Sequence, residues 1–570
     1  MGGKPVYNEE EPERGSLIRS WKQLSPRQGR NTKKLLAAFA AAFLFLVLVL
    51  VHWNSSATTL TQTVVRIKGG EDGLIDDSLQ GLENGEGQQS VGSNESEVVA
   101  EPAFVLKMDI GSEDLISYVR RKIKPQTDLQ ENPTYFVNYL PYISRAYGRY
   151  FPLSATVNKM LEKLGTFKNQ SELSLSCLKS GASCTSKLGD DFPSIILSPV
   201  WTSKRNDVAR MVKKIGKKSL IGFIDEATDY SIMPMSPSHC IGGAKTTELR
   251  CRIRYANKHS CDYGSLEIQP VSWNFFNTSQ CENFFQQAQD DPVKFESTIW
   301  VMKGRGSLGM GLEIVKGTKR IRQRFNCKAP AKVVVQKYID KPALFGNRKF
   351  DLRTYLLVAS TDPLLVFYHD AFVRRSEHVY RTDGNSLTDK KSQITNSRSQ
   401  SKENHFFSFE QLQEVLTEQD PKTFPRGYME KVFRPHVKQV QVQMALAANI
   451  KPIPGRFQFF ACDWVIAEDG SIHLLEGNLQ PYVKPYPASV GLTPVVYQSQ
   501  YELLQKIHQK PESLDMPLLV SEGFHYKRWD LIYNELEAKA THMPYNPCLF
   551  KEYKESDHVL YGFGYDPIVF

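Results

Sequence analysis

Toward the C-terminal end, FQFFACDWVI (457–466) and SIHLLE (471–476) flank an Asp469-Gly470 pair, and this combination restricts the fold more than any other stretch. Both segments are rich in strand formers, and Asp-Gly is a favoured two-residue hairpin turn, so an antiparallel pair is expected. With Asp469-Gly470 as the loop, Glu468 faces Ser471, Asp463 faces Glu476, and Ala461 faces Asn478. Strand alternation then puts Asp463, Glu476 and Asn478 on one face, with the two carboxylates about 5 Å apart. Like charges so placed need one protonated carboxyl, a cation between them, or a solvated face with a nearby lysine. Two carboxylates and an amide oxygen are hard donors suited to Mg2+. A three-residue loop would shift this register.

Upstream, strands are expected over 298–303, 333–339, 352–359 and 364–368, separated by Gly, Pro and Asp. Helices are expected over 408–418, opened by a Ser408/Gln411 capping box, and over 435–449, with apolar Val437, Val440, Met444, Ala447 and Ala448. A polar helical stretch covers 281–289. Strands and helices mixed in this order predict an α+β class rather than a doubly wound sheet.

Two further clusters carry charge into these strands. In Lys349-Phe350-Asp351-Leu352-Arg353 the three charged residues share one strand face while Phe350 and Leu352 bury the other. Such a row is either a surface ion-pair ladder or a phosphate clamp. In TIWVMKGRGSLGMGLEIV (298–315), an apolar strand delivers Lys303 to a loop containing Gly304, Gly306, Gly309 and Gly311. Glycines let backbone N–H groups approach a polyphosphate. The G-x-G-x-x-G match is weak alone: a dinucleotide fold needs a helix next, whereas LEIV reads as strand, and H-R-D and D-F-G are absent. A β-turn-β flap over phosphates remains. Gln336, Lys337 and Ile339 end a buried strand with groups suited to an adenine edge.

The N-terminal part reads differently. Leu35–Val51 is an uninterrupted apolar run, long enough for a short membrane span and more like an uncleaved anchor than a signal peptide. Basic residues crowd its N-terminal side, which predicts a single-pass type II protein with a lumenal, Golgi or ER, catalytic domain; a cytosol-facing orientation is the alternative. Sequons at Asn54, Asn94, Asn169 and Asn277 lie on the same side but are expected by chance. The implied organisation is a basic tail over 1–34, a span over 35–53, a flexible acidic stem over 54–103 and an N-terminal domain over 104–292. A catalytic domain over 293–510 and an extension over 511–570 complete it. The formal charge of +9 suits an acidic substrate but equally a solvated surface, and no nucleic-acid module is present. Nine cysteines show no zinc spacing; those between Cys177 and Cys281 are disulfides in an oxidising compartment and buried thiols otherwise.

In order, WVMKG…GLEIV, VVVQKYI, GNRKFDLRTYLLV, FVRRSEHVY, ITNS and FQFFACDWVIAEDGSIHLLEGNLQP resemble the tubulin–tyrosine-ligase-like family of ATP-grasp amino-acid ligases. The resemblance is good over 297–487 and extends weakly back to 238, through CIGGAKTTELRCRIRYANK and VSWNFF. It implies an ATP-grasp fold, with nucleotide between two β-sheet subdomains, and ATP and Mg2+ as cofactors. By position it implies Lys303, Lys349, Gly309 and Gly311 at the phosphates and Gln336, Lys337 and Ile339 at the adenine. Asp351 and Arg353 would frame the acyl-phosphate site, Arg374, Thr395 and Asn396 the γ-phosphate and incoming amino acid, and Asp463, Glu476 and Asn478 the metal.

The implied reaction joins a free amino acid, glutamate above all, to a protein carboxylate through an acyl phosphate. The acceptor would be an acidic tubulin tail or, for a lumenal domain, a secretory-pathway protein; because tubulin is cytosolic, lumenal placement and a tubulin acceptor exclude each other. The rival reading is a catalytically silent binding module, which loss of ATP-site residues would favour; none is lost. Three positions depart from the pattern: Gly304 for a proline, Leu308 for a basic residue, and Gly477 for a branched apolar residue between two ligands. The last predicts a looser metal site.

Overall fold

The computed structural model describes residues 110–125, 134–137, 166–167, 195–197, 220–222, 237–259, 269–304, 311–396, 400, 405–479, 492–514 and 517–541. Leu35–Val51, the stem, Gly306, Leu308 and Gly309 lie outside them. Among the described residues no helix is long and apolar enough to cross a membrane.

Two sheets organise the described chain. The larger is built on two twelve-residue antiparallel strands, β9 (Phe350–Thr361) and β10 (Leu364–Arg375). Strand β12 (Arg456–Ile466) pairs with the other edge of β9, and β13 (Ile472–Leu479) with β12, both antiparallel. β12 also pairs in parallel with β4 (Leu220–Gly222), and from there the sheet continues in parallel through β3 (Ile195–Leu197) and β1 (Thr134–Val137) to β2 (Thr166–Phe167). These short strands therefore extend the sheet that carries the charged clusters. The smaller sheet is antiparallel, in the order β5 (Ser272–Asn274), β8 (Val334–Lys337), β6 (Ile299–Lys303) and β7 (Leu312–Lys316). LEIV is thus a strand, as its β-branched residues predict. A mixed α/β architecture of largely antiparallel sheets fits the ATP-grasp expectation.

The central strands are buried on both faces, and the chemistry of the two faces differs. On β9, Phe350, Leu352, Leu356 and Val358 are fully buried on one face. They pack with Phe460, Cys462 and Trp464 of β12 against Val437, Val440 and Met444. Those three lie on the helix Arg434–Ala447, where apolar spacing predicted a helix with these residues on it. The helix Phe409–Gln419 packs into the same core and opens with the predicted capping box on Ser408 and Gln411. The opposite face changes character along its length. Tyr355, Leu357 and Ala359 of β9 and Phe457, Phe459 and Ala461 of β12 are covered by the helix Leu492–Gln509. Beyond that cover, the same face presents Lys349, Asp351, Arg353 and Asp463.

Two helices complete the frame: α2 (Pro237–Gly242) and α3 (Lys245–Lys258). A disulfide joins Cys240 to Cys251 across them, and another joins Cys281 to Cys327 beside the smaller sheet; Cys462 is a buried free thiol. Both bridged pairs include residues of the cysteine-rich region, for which either state was open from sequence.

Candidate active site

The predicted facing of Asp463 with Glu476, and of Ala461 with Asn478, is present, but the chain reaches it by another route. The turn is not the expected two-residue Asp-Gly loop. Ala467 N–H donates to Ser471 O at 2.9 Å and Gly470 N–H to Ala467 O at 3.0 Å, so 468–470 form a three-residue loop. Gly470 takes φ +83°, a left-handed conformation that glycine accepts without a Cβ penalty. Near the turn, Ile466 pairs with Ile472 and Trp464 with Leu474; the register then shifts between Trp464 and Asp463. Leu475 is the extra residue of this β-bulge, and it cancels the slip that the longer loop introduces. Its carbonyl accepts from Lys303 Nζ at 3.0 Å.

Asp463 is the electrostatic centre. Arg353 grips both its oxygens, at 2.7 and 2.8 Å, and Arg374 reaches it at 3.0 Å while also holding Asp351 in a two-point contact. Asn478 Nδ2 donates to Asp463 Oδ2 at 3.1 Å. Burial disfavours the Asp463 carboxylate, yet the two guanidiniums hold it well below the usual carboxylate range. Arg374 is raised, because burial is outweighed by Asp351 and Asp463. Glu476 lies 2.6 Å from Lys245 Nζ, which keeps its carboxyl low despite burial.

Lys245, Asp351, Arg374, Asp463 and Glu476 border a cleft between the two sheets that is open to solvent. Lys303 and Lys349 enter it from the smaller and larger sheets, and burial brings their pKa values down to about 8 and about 7. Lys349 Nζ donates to the Tyr338 hydroxyl at 2.5 Å, which donates to Gln393 Oε1 at 2.6 Å. Lys337 and Ile339 line the cleft between apolar walls from Val301 and Ile314. Gln336 also lines it, with its amide donating to Ser272 Oγ at 2.7 Å and to Pro270 O at 3.3 Å. Thr395, Asn396, Asp351 and Arg374 border the cleft too. Arg353 and Asn478 reach it only through Asp463. Gly311, at φ +75°, closes the base of the flap by accepting from Gly304 N–H at 2.9 Å. A proline at 304 could not make that bond. Gly309 is outside the described residues.

Sequence reasoning missed Tyr338, Gln393 and above all Lys245, which arrives from α3; no local pattern announces it. It also misjudged Gly477. A Cβ on Gly477 would lie 1.5 Å from Ile241 O, and one on Gly242 would lie 2.4 Å from Leu479 N. The backbones of α2 and β13 therefore touch directly behind the ligand strand, and the missing side chain tightens the site rather than loosening it. Beside this seam Glu248 is buried, its Oε1 lacks a hydrogen-bond partner, and burial raises its pKa to about 8.

The donor set fits a divalent cation. Asp463 and Glu476 face each other, Asn478 adds an amide, and the cations that now neutralise them are the kind of counter-charge a metal replaces. Lys303, Lys349 and Arg374 add positive charge for a polyphosphate in the same cleft.

Residues 236–508 match the family described as the tubulin-tyrosine ligase family. Among curated proteins, the mouse protein polyglycylase TTLL10 is 25% identical over 214 residues, 33% of this chain and 30% of its own length. Drosophila melanogaster tubulin glycylase 3B is 28% identical over 200 residues, 33% of this chain and 26% of its length. Mouse tubulin polyglutamylase TTLL7 is 32% identical over 113 residues, 20% of this chain and 12% of its length. The chain thus spans less than a third of each of these relatives. The lumenal membrane placement expected from flanking charge is corrected. Two of these relatives are named for tubulin, the acceptor that a lumenal domain excludes, and the apolar run Leu35–Val51 lies outside the described residues.

Proposed function

We propose, from the match of residues 236–508 to the tubulin-tyrosine ligase family, that the chain is an ATP-dependent ligase joining an amino acid to a protein carboxylate, with an acidic tubulin tail as acceptor. One observation carries this reading: Lys303, Lys349, Arg374, Asp463 and Glu476, far apart in sequence, converge on one cleft between two sheets. That is the arrangement needed to hold a nucleotide, offset its charge and bring a carboxylate to its terminal phosphate.

Apolar Val301 and Ile314 would sandwich the base, with Gln336, Lys337 and Ile339 at its edge. Lys303 and Lys349 would neutralise the phosphates. Asp463, Glu476 and Asn478 would hold Mg2+, which when bound draws charge from the transferring phosphoryl group. Arg374, tied to Asp351 and Asp463, would orient the acyl phosphate, and Arg353 would fix Asp463. Thr395 and Asn396 border the space left for the incoming amino acid, whose amine attacks the acyl carbon and expels phosphate. Glutamate has no advantage as donor: two of the relatives above are named for glycine and one for glutamate.

The test is incorporation of labelled glycine, glutamate and tyrosine into tubulin with Mg·ATP, using wild type and Glu476→Gln. Incorporation of one amino acid that Glu476→Gln abolishes supports the reading. No incorporation by folded wild type, or equal incorporation by the variant, refutes it.

A further inference from the structure

Lys245 is the most unusual cation in the cleft. It is the first residue of a fourteen-residue helix, the end at which the helix dipole disfavours positive charge. Ala244, the residue preceding the helix, makes no side-chain cap to offset this. The lysine is nevertheless held in a half-buried pair, 2.6 Å from Glu476 Oε2, and both residues line the cleft. The position of α3 is fixed by the Cys240–Cys251 bridge and by the glycine contacts between α2 and β13. Asp463 is held on both oxygens by the guanidiniums of Arg353 and Arg374. Glu476 has a flexible ammonium instead.

We propose that Lys245 is the resident counter-ion of Glu476, which a divalent metal must displace, and that the freed ammonium turns to a phosphate oxygen of the nucleotide in the same cleft. The inference rests on the metal reading of Asp463, Glu476 and Asn478 given above. An ammonium and a divalent cation cannot share one carboxylate oxygen without strong repulsion. A phosphate within reach removes that conflict, so Lys245 makes metal binding depend on nucleotide. Lys245 accordingly acts on Glu476 without nucleotide and on phosphate with it, and its loss should uncouple the two ligands.

The experiment is Mn2+ binding to the full chain, read by electron paramagnetic resonance, with and without a non-hydrolysable ATP analogue. Wild type should bind Mn2+ weakly without the analogue and at least about tenfold more tightly with it. Lys245→Gln, with folding verified by circular dichroism, should bind Mn2+ about tenfold more tightly than wild type without nucleotide and show little further gain. Lys245→Arg should retain most of the coupling. Lys303→Gln removes another cleft amine, one whose hydrogen bond goes to Leu475 O rather than to Glu476, so it should change the nucleotide-free affinity less. Equal tightening by Lys303→Gln and Lys245→Gln would reduce the effect to bulk charge and overturn the inference. Unchanged or weaker nucleotide-free binding by Lys245→Gln would overturn it as well. If wild type and Glu476→Gln bind Mn2+ alike even with the analogue, the metal reading itself fails, and this inference with it.

Discussion

Replacing Gly477 by valine should unseat α2 from the ligand strand. The new Cβ would sit 1.5 Å from Ile241 O, whereas real Cβ contacts essentially never fall below 3.0 Å. The obstacle is main chain, so no rotamer change relieves it, and α2 or β13 must move until the contact doubles. Overpacking a well-filled interior costs about 1–3 kcal/mol when side chains can adjust; a backbone obstacle puts this site at about 3 kcal/mol or more. For a unit of several hundred residues that lowers Tm by about 3 °C or more. Ile241 is adjacent to bridged Cys240, and α3 carries Lys245, so the shift should also disturb the Glu476 pair and reduce stabilisation by Mg·ATP. Differential scanning fluorimetry of wild type and Gly477→Val, with and without Mg·ATP, measures both effects. A branched residue is what the family pattern has here, and sequence alone predicts that it would stiffen the site. A Tm equal to or above wild type would refute the steric argument.

Three further expectations follow from the charges in the cleft. Lys349 and Lys303 have folded pKa values of about 7 and about 8, below the ordinary 10.5, because they are buried. The folded state therefore binds fewer protons than the unfolded state between these values and 10.5, so their contribution to stability rises with pH over that window and is lost as pH falls through it. A bound polyphosphate favours the charged amines, so at pH 8 ATP binding should take up about one proton. Calorimetry in two buffers of different ionisation enthalpy measures this, and zero uptake would contradict the burial argument. Arg374→Met would leave Asp351 and Asp463 without their shared guanidinium, at a cost of about 3–5 kcal/mol. Urea denaturation tests it, and a loss below about 1 kcal/mol would show the pair to be hydrated rather than buried.

Much of this site is legible in the chain because strand alternation is strictly local. Lys349, Asp351 and Arg353 must share a face, Phe350 and Leu352 must take the other, and the helix over 435–449 must turn Val437, Val440 and Met444 inward. The facing of Asp463 and Glu476 was legible for a partly mistaken reason. The loop is one residue longer than Asp-Gly suggests, and the bulge at Leu475 restores the register. Local turn chemistry does not reveal a bulge, because its compensation depends on what the neighbouring strand and Lys303 require.

By itself, the sequence determined the strands around 298–316, 333–339, 349–368 and 457–476, the two faces of the charged ones, the capping box at Ser408 and the family that the ligand pattern resembles. These follow from periodicity and side-chain chemistry over a few residues. Only the tertiary structure decided how distant segments meet: Lys245 on Glu476, β5 beside β8, and α2 against Gly477. The glycine illustrates the division. In sequence it is an absent side chain and suggests slack; in the folded protein Ile241 already fills that volume, because packing assigns space to segments that the chain keeps far apart.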